Sequence, residues 1–238
     1  VQFETNPHPH ITEYIASSSN RWQGAVIIFP GGGYTHHAEH EGKGYADFLL
    51  KHGISSFVSI YRTAGDNVQH PAMLEDALWS INYVKNRCKE LNLNDKLVGV
   101  MGSSAGGHLA SHAMSAWQNY SQDLRPAFGV LCYPVIDLVS EYANLGSRIN
   151  LLGKNNSDTL ASSISGHNMV HADTPPAFLW HTGEDQSVPI ENSLFMALAL
   201  SKYKIPFEMH TYHEGQHGLG LNTDHLWGQA LVKWLYKF

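Results

Sequence analysis

Ser104, set between glycines in Gly102-Ser103-Ser104-Ala105-Gly106, is the residue of this chain best placed to act as a nucleophile. The apolar run Val98–Met101 leads into it and a helix-like stretch of small residues follows. That is the strand–turn–helix context in which a Gly-x-Ser-x-Gly pattern exposes its serine at a strand end. Glycines at 102 and 106 leave room for a sharp turn in which the serine takes a strained backbone conformation. A serine hydroxyl needs a base to take its proton, and the base needs an acid to orient it. Both are available downstream. His181-Thr-Gly-Glu-Asp-Gln-Ser-Val-Pro189 offers Asp185, with Glu184 as its rival, and His213-Glu-Gly-Gln-His-Gly-Leu219 offers His217. Each segment follows a strand-like run, and 81 and then 32 residues separate the three, enough for intervening strands and helices. His210, His213 and His181 compete for the base, but they lie within or at the end of strands. His217 lies beyond one, between glycine-containing turns.

A tetrahedral intermediate needs backbone donors, from the turn after the serine and from an early loop. Ala105 supplies the first, and Gly32 or Gly33 in Phe29-Pro-Gly-Gly-Gly-Tyr34 supplies the second. Tyr34 follows that glycine run, where it either lines the substrate side or packs. The dense His36-His37-Ala38-Glu39-His40-Glu41 carries imidazole and carboxylate groups that could hold a transition metal. A local cluster does not fix ligand geometry, so it reads as a solvated loop beside the pocket, with no metal or other cofactor expected. Capping is the competing role for Asp185 or Glu184, and a small-residue turn is the competing role for Ser104.

The elements that must position these groups alternate along the chain. Residues 24–30, 54–61, 96–101, 126–135, 177–182 and 207–213 read as strands. Helices are expected at 43–52, from Pro71 through Leu91, at 105–117, at 189–203 and at 224–238. Such alternation indicates an α/β fold: a mostly parallel sheet with helices on both faces, in one domain over residues 1–238. Residues 136–174 lose periodicity and are rich in Ser, Asn and Gly, so they read as a small insert with short helices covering the site.

The chain has 238 residues and is 43% hydrophobic, enough for one large core. A net charge of −6 without basic runs argues against nucleic acid, and no apolar stretch is long enough for a membrane span. The two cysteines, Cys88 and Cys132, lie on apolar faces and read as buried thiols rather than a disulfide framework. Val1–His10 look like neither a signal peptide nor an anchor. A leader removed before Val1, and with it a cytoplasmic or an exported location, stays open.

The motifs Pro30-Gly-Gly-Gly-Tyr34, Tyr61-Arg62, His70-Pro71, Glu75-Asp-Ala77, Gly102-Ser-Ser-Ala-Gly-Gly107, the Asp185 loop and Gln216-His-Gly218 run in order through nearly the whole chain. In them it resembles α/β-hydrolases of the esterase group that includes hormone-sensitive-lipase-like enzymes and bacterial acetyl (xylan) esterases. Proline at position 30, where lipase-like members carry histidine, is closer to the sugar-ester branch. The resemblance implies a Ser104–His217–Asp185 triad, favours Asp185 over Glu184, and implies no metal. A small-molecule or carbohydrate ester is the expected partner. The polar insert and the lack of an apolar lid favour a short acyl group, acetyl first. A peptidase of the prolyl-oligopeptidase type and a non-catalytic hydrolase-like binding protein are the alternatives.

Overall fold

A strand with apolar residues on both of its faces has to be covered on both sides. A computed structural model of the protein describes residues 9–17 and 21–238, and it meets that requirement. Seven strands form one sheet: β1 (His10–Tyr14), β2 (Ala25–Phe29), β3 (Ser55–Ile60), β4 (Val98–Ser103), β5 (Gly129–Cys132), β6 (Ala177–Thr182) and β7 (Phe207–Tyr212). Their spatial order is β1-β3-β2-β4-β5-β6-β7, and every pair is parallel except β1 with β3.

Along β2 the side chains alternate between two cores. Ala25, Ile27 and Phe29 join a layer with Leu78 and Ile81 of α2 (Ala72–Glu90), Leu109 and Ala113 of α3 (Ser104–Ala116) and Met196 of α7 (Glu191–Lys202). Val26 and Ile28 join the opposite layer. There Tyr45 and Leu49 of α1 (Glu39–Lys51) meet Trp227 and Leu231 of α8 (Trp227–Leu235). Each large apolar side chain so buried contributes ~1.5–3 kcal/mol. Cys88 and Cys132 are buried free thiols, and burial pushes both up to about 12.

The connection after β2 runs to β3 on one side, whereas β4 lies on the other side of β2. Loops leaving the carboxyl ends of β2 and β4 therefore diverge and open a crevice, the position at which such sheets bind ligands. Residues 136–174 carry α4 (Leu145–Leu152), α5 (Asp158–Ser163) and α6 (Gly166–Met169). This segment is anchored in the core, because the Ile136 and Asp137 N–H groups both donate to Asn192 Oδ1.

Four elements depart from the sequence expectation by three residues or more, among them α8, which spans Trp227–Leu235 rather than 224–238. Strand β1 is an additional, antiparallel edge strand with a half-exposed face. Helix α1 starts at Glu39 rather than 43, with Glu39 and Glu41 in its first turn, where acidic side chains favour the helix dipole. Strand β5 ends at Cys132 because Tyr133 turns to a positive φ of 34° and Pro134 follows. The reading of Val1–His10 falls largely outside the described residues.

Candidate active site

Ser104 opens α3 directly from β4, with φ at 53°, a conformation that costs a non-glycine residue about 1–3 kcal/mol. The turn is over-determined by its surroundings. A Cβ on Gly102 would run into the Gly106 carbonyl, and one on Gly106 into the Phe29 carbonyl. The Val135 N–H holds the Ser104 carbonyl at 2.9 Å.

The structure brings Ser104, His217 and Asp185 together from the ends of three parallel strands. His217 Nδ1 lies 2.6 Å from Asp185 Oδ2, and its Nε2 lies 2.8 Å from Ser104 Oγ. A carboxylate only accepts, so the imidazole proton sits on Nδ1 and Nε2 presents a lone pair to the serine. Asp185 is itself held: Oδ1 accepts from the Ser187 and Val188 N–H groups at 3.0 and 2.9 Å. Burial alone would raise its carboxyl. Hydrogen bonds from His181, His217 and the Val188 N–H outweigh that and hold it well below the usual carboxylate range. Glu184 faces solvent instead and accepts from the Gly215 N–H at 3.0 Å.

Around the crevice the glycine turn is fixed one peptide at a time. The Gly31 carbonyl accepts from the Ala38 N–H at 2.9 Å, and the Gly32 carbonyl accepts from the Thr35 N–H at 3.0 Å. Each of these peptides leaves its own N–H, that of Gly32 or Gly33, without an acceptor among the described residues. Positive φ values of 132° and 59° at Gly32 and Gly33 explain why glycine stands at both positions. Ala105 lies buried beneath Ser104 in the first turn of α3, where an N–H has no partner within the helix. Gly32, Gly33, Ser104 and His217 line a cleft of about 380 Å³ together with Thr35, His36, Asn144, Ser147 and Ser187, with no large apolar side chain.

Tyr34 does not line this cleft. It is fully buried, and its hydroxyl lies 2.7 Å from His108 Nδ1. Burial of the phenol raises it well above its ordinary range. Its φ of 62° turns the side chain under the glycine run into the core, so the substrate-lining role expected for it is corrected to packing. The reading of residues 36–41 as a solvated loop is also only half right. His36 and His40 are exposed, but Glu41 points inward. Among the described residues no group of His, Cys, Asp and Glu is arranged to hold a metal ion, and no helix is long and apolar enough to cross a membrane.

Three supporting residues were missed from sequence. His181 is buried, with Nε2 2.9 Å from the Val188 carbonyl and 3.3 Å from Asp185 Oδ2. Tyr133 sets its ring edge-on to His217 at 5.1 Å, and its hydroxyl accepts the Gly220 N–H. Glu41 accepts the Gly31 N–H. The only sequence signal was for Glu41, which follows the glycine run by one loop; Tyr133 falls inside the strand expected at 126–135, and only the early end of β5 at Cys132 frees it.

A parallel sheet flanked by helices, with a glycine-framed serine at its central strand end, defines an α/β-hydrolase. The chain belongs to the BD-FAE family, whose model matches residues 14–200. Among solved structures it resembles an acetyl ester-xyloside bifunctional hydrolase from Caldicellulosiruptor lactoaceticus, at 44% identity and a TM-score of 0.88. That match covers 96% of this chain and 88% of the other. It is 34% identical over 204 residues to an acetylxylan esterase of Xylanibacter ruminicola, covering 84% of this chain and 42% of that protein. It is 33% identical over 226 residues to endo-1,4-beta-xylanase B of Butyrivibrio fibrisolvens, covering 91% of this chain and 35% of that protein. The chain thus spans less than half the length of these two curated relatives.

Proposed function

We propose that this chain is a serine carboxylesterase that removes short acyl groups, acetyl first, from a carbohydrate or other small alcohol. The observation that carries the proposal is the unbroken hydrogen-bond line from Ser104 through His217 to Asp185. As Ser104 Oγ attacks the acyl carbon, its proton passes to His217 Nε2, and Asp185 stabilises the charged ring. The N–H groups of Gly32, Gly33 and Ala105 hold the oxyanion. His217 then gives its proton to the leaving alcohol. Water, deprotonated by the same imidazole, releases the acid and restores Ser104.

The cleft supports a short acyl group, because nothing on its walls would pay for burying a long alkyl chain. Amide and hydroxyl groups of Asn144, Ser147 and Ser187 at the same cleft suit the hydroxyls of a sugar. The resemblance to an acetylxylan esterase and an acetyl ester-xyloside hydrolase points the same way.

The test measures acetate released from acetylated xylan, mono-acetylated sugars and aryl acetates by the unaltered protein and by Ser104→Ala. Turnover is expected with the first and is expected to fall by about 10⁶-fold with the second. Full activity in Ser104→Ala would remove the assignment. Decanoyl esters cleaved faster than acetyl esters would refute the acyl preference. Aminoacyl amides cleaved faster than acetyl esters would favour the peptidase alternative, and no reaction of Ser104 with a phosphonate label would favour a non-catalytic binding protein.

A further inference from the structure

We infer that Glu41 is a positioning residue that holds the glycine turn in the conformation that aims the Gly32 and Gly33 N–H groups at the substrate. The inference rests on the esterase reading above. Glu41 is only 3% exposed and sits in the first turn of α1. Its two oxygens serve different partners: Oε2 accepts from the Gly31 N–H at 2.7 Å, and Oε1 accepts from the Tyr133 hydroxyl at 2.7 Å.

The Gly31 N–H belongs to the same peptide plane as the Pro30 carbonyl, and that carbonyl accepts from the Tyr61 hydroxyl at 2.7 Å. One peptide is therefore gripped at both ends, by Glu41 and by Tyr61. The next two peptides carry the Gly32 and Gly33 N–H groups; their carbonyls are held by the Ala38 and Thr35 N–H groups, and the gripped first plane fixes where that turn starts. Glycine at 31 makes the approach possible, since a Cβ there would lie 2.5 Å from Glu41 Oε2 and 2.8 Å from the Ser103 carbonyl.

The other end of the carboxyl reaches the rest of the site. The Tyr133 hydroxyl that donates to Glu41 accepts the Gly220 N–H at 3.0 Å and lies 3.1 Å from the Tyr45 hydroxyl. Tyr45 in turn lies 2.9 Å from Ser103 Oγ, beside the nucleophile. A buried acid next to a developing oxyanion would by its charge work against that oxyanion. What offsets this is geometry: Glu41 is the shared acceptor between the donor turn and the shelf under His217.

The test compares Glu41→Ala and Glu41→Gln with the unaltered protein on an aryl acetate. Active sites are counted by phosphonate titration, folding is checked by Tm, and affinity is measured for an alkyl boronic acid, whose tetrahedral adduct on Ser104 puts an oxygen at the donors. In Glu41→Ala, kcat per titrated site is expected to fall about a hundredfold at nearly constant KM. Boronate affinity should fall by the same factor. Glu41→Gln keeps an acceptor for the Gly31 N–H and is expected to stay within about tenfold of the unaltered protein. Glu41→Ala with kcat per site within about twofold of the unaltered protein would overturn the inference. So would a loss of kcat with boronate affinity unchanged, which would place the effect of Glu41 away from the donors while leaving the serine assignment standing. A boronate that binds Ser104→Ala as tightly as the unaltered protein would instead fault the esterase reading, and the inference with it.

Discussion

Asp185, not Glu184, reaches His217 because its shorter side chain is turned inward by two backbone N–H groups one turn ahead of α7. That arrangement makes a specific demand on an amide replacement. In Asp185→Asn the remaining oxygen keeps the Ser187 and Val188 N–H groups, and the NH₂ group faces His217 Nδ1. The ring then has to carry its proton on Nε2, where Ser104 needs a lone pair. The expected outcome is a loss of about 10⁴-fold in kcat with an unchanged fold, measured by acetate release and circular dichroism. At this scale the three side chains that meet at the cleft were legible, because Ser104, Asp185 and His217 each follow a strand and sit among turn-forming residues. It hid the groups whose value lies in direction. Glu41 stands in a run of imidazoles and carboxylates that looks solvated, and nothing local announces that its side chain turns under Gly31. Tyr34 stayed undecided between lining and packing for the converse reason, since a residue after a glycine run faces either way until its φ is known.

Among the elements, the brace between β3 and α2 stands out. Asp76 is fully buried on α2, and the Arg62 guanidinium just past β3 meets both of its oxygens, with Nη2 at 2.7 Å from Oδ1. The Arg62 backbone N–H adds a further bond at 2.7 Å to Oδ2. The carboxylate raises the guanidinium further above its ordinary value. Asp76→Ala leaves the partly buried Arg62 guanidinium with only Glu75 at 3.9 Å and the Ala72 carbonyl, and is expected to cost about 3 kcal/mol, read from the urea midpoint. The kcat per titrated site should change little, because neither residue lines the cleft. Most elements were readable, since β2, β4 and β6 are continuous apolar runs and α2 repeats at steps of three and four. Strand β1 was not. His10-Ile-Thr-Glu-Tyr14 has little apolar content, and only its pairing with β3 makes it a strand.

The whole molecule carries a group of histidines that are folded in neutral form. His108 and His112 are buried together on α3, with His70 stacked 5.4 Å from His112. Burial lowers all three, His108 to about 4 and His112 well below the ordinary imidazole value. An unfolded chain binds these protons near pH 6.5, whereas the folded chain resists them. Stability is therefore full above that pH and drains as pH falls from about 6.5 toward 4. His108 alone accounts for roughly 3 kcal/mol across that window. The low Asp185 carboxyl acts in the same sense at still lower pH. Urea midpoints measured from pH 7.5 to 4.5 should fall steadily, and a flat profile would contradict these burials.

His40 adds a consequence of its own. From α1 its Nε2 donates to the Gly218 carbonyl at 2.8 Å, while the Gly220 N–H rests on the same tyrosine hydroxyl that binds Glu41. Two loops from opposite ends of the chain are thus tied by struts rather than merely adjacent. Neither can open without breaking bonds that also order the other, so they form one cooperative unit. In deuterated buffer, the bonded amides of Gly31, Ala38 and Gly220 should exchange at a common rate, slower than that of an ordinary surface loop.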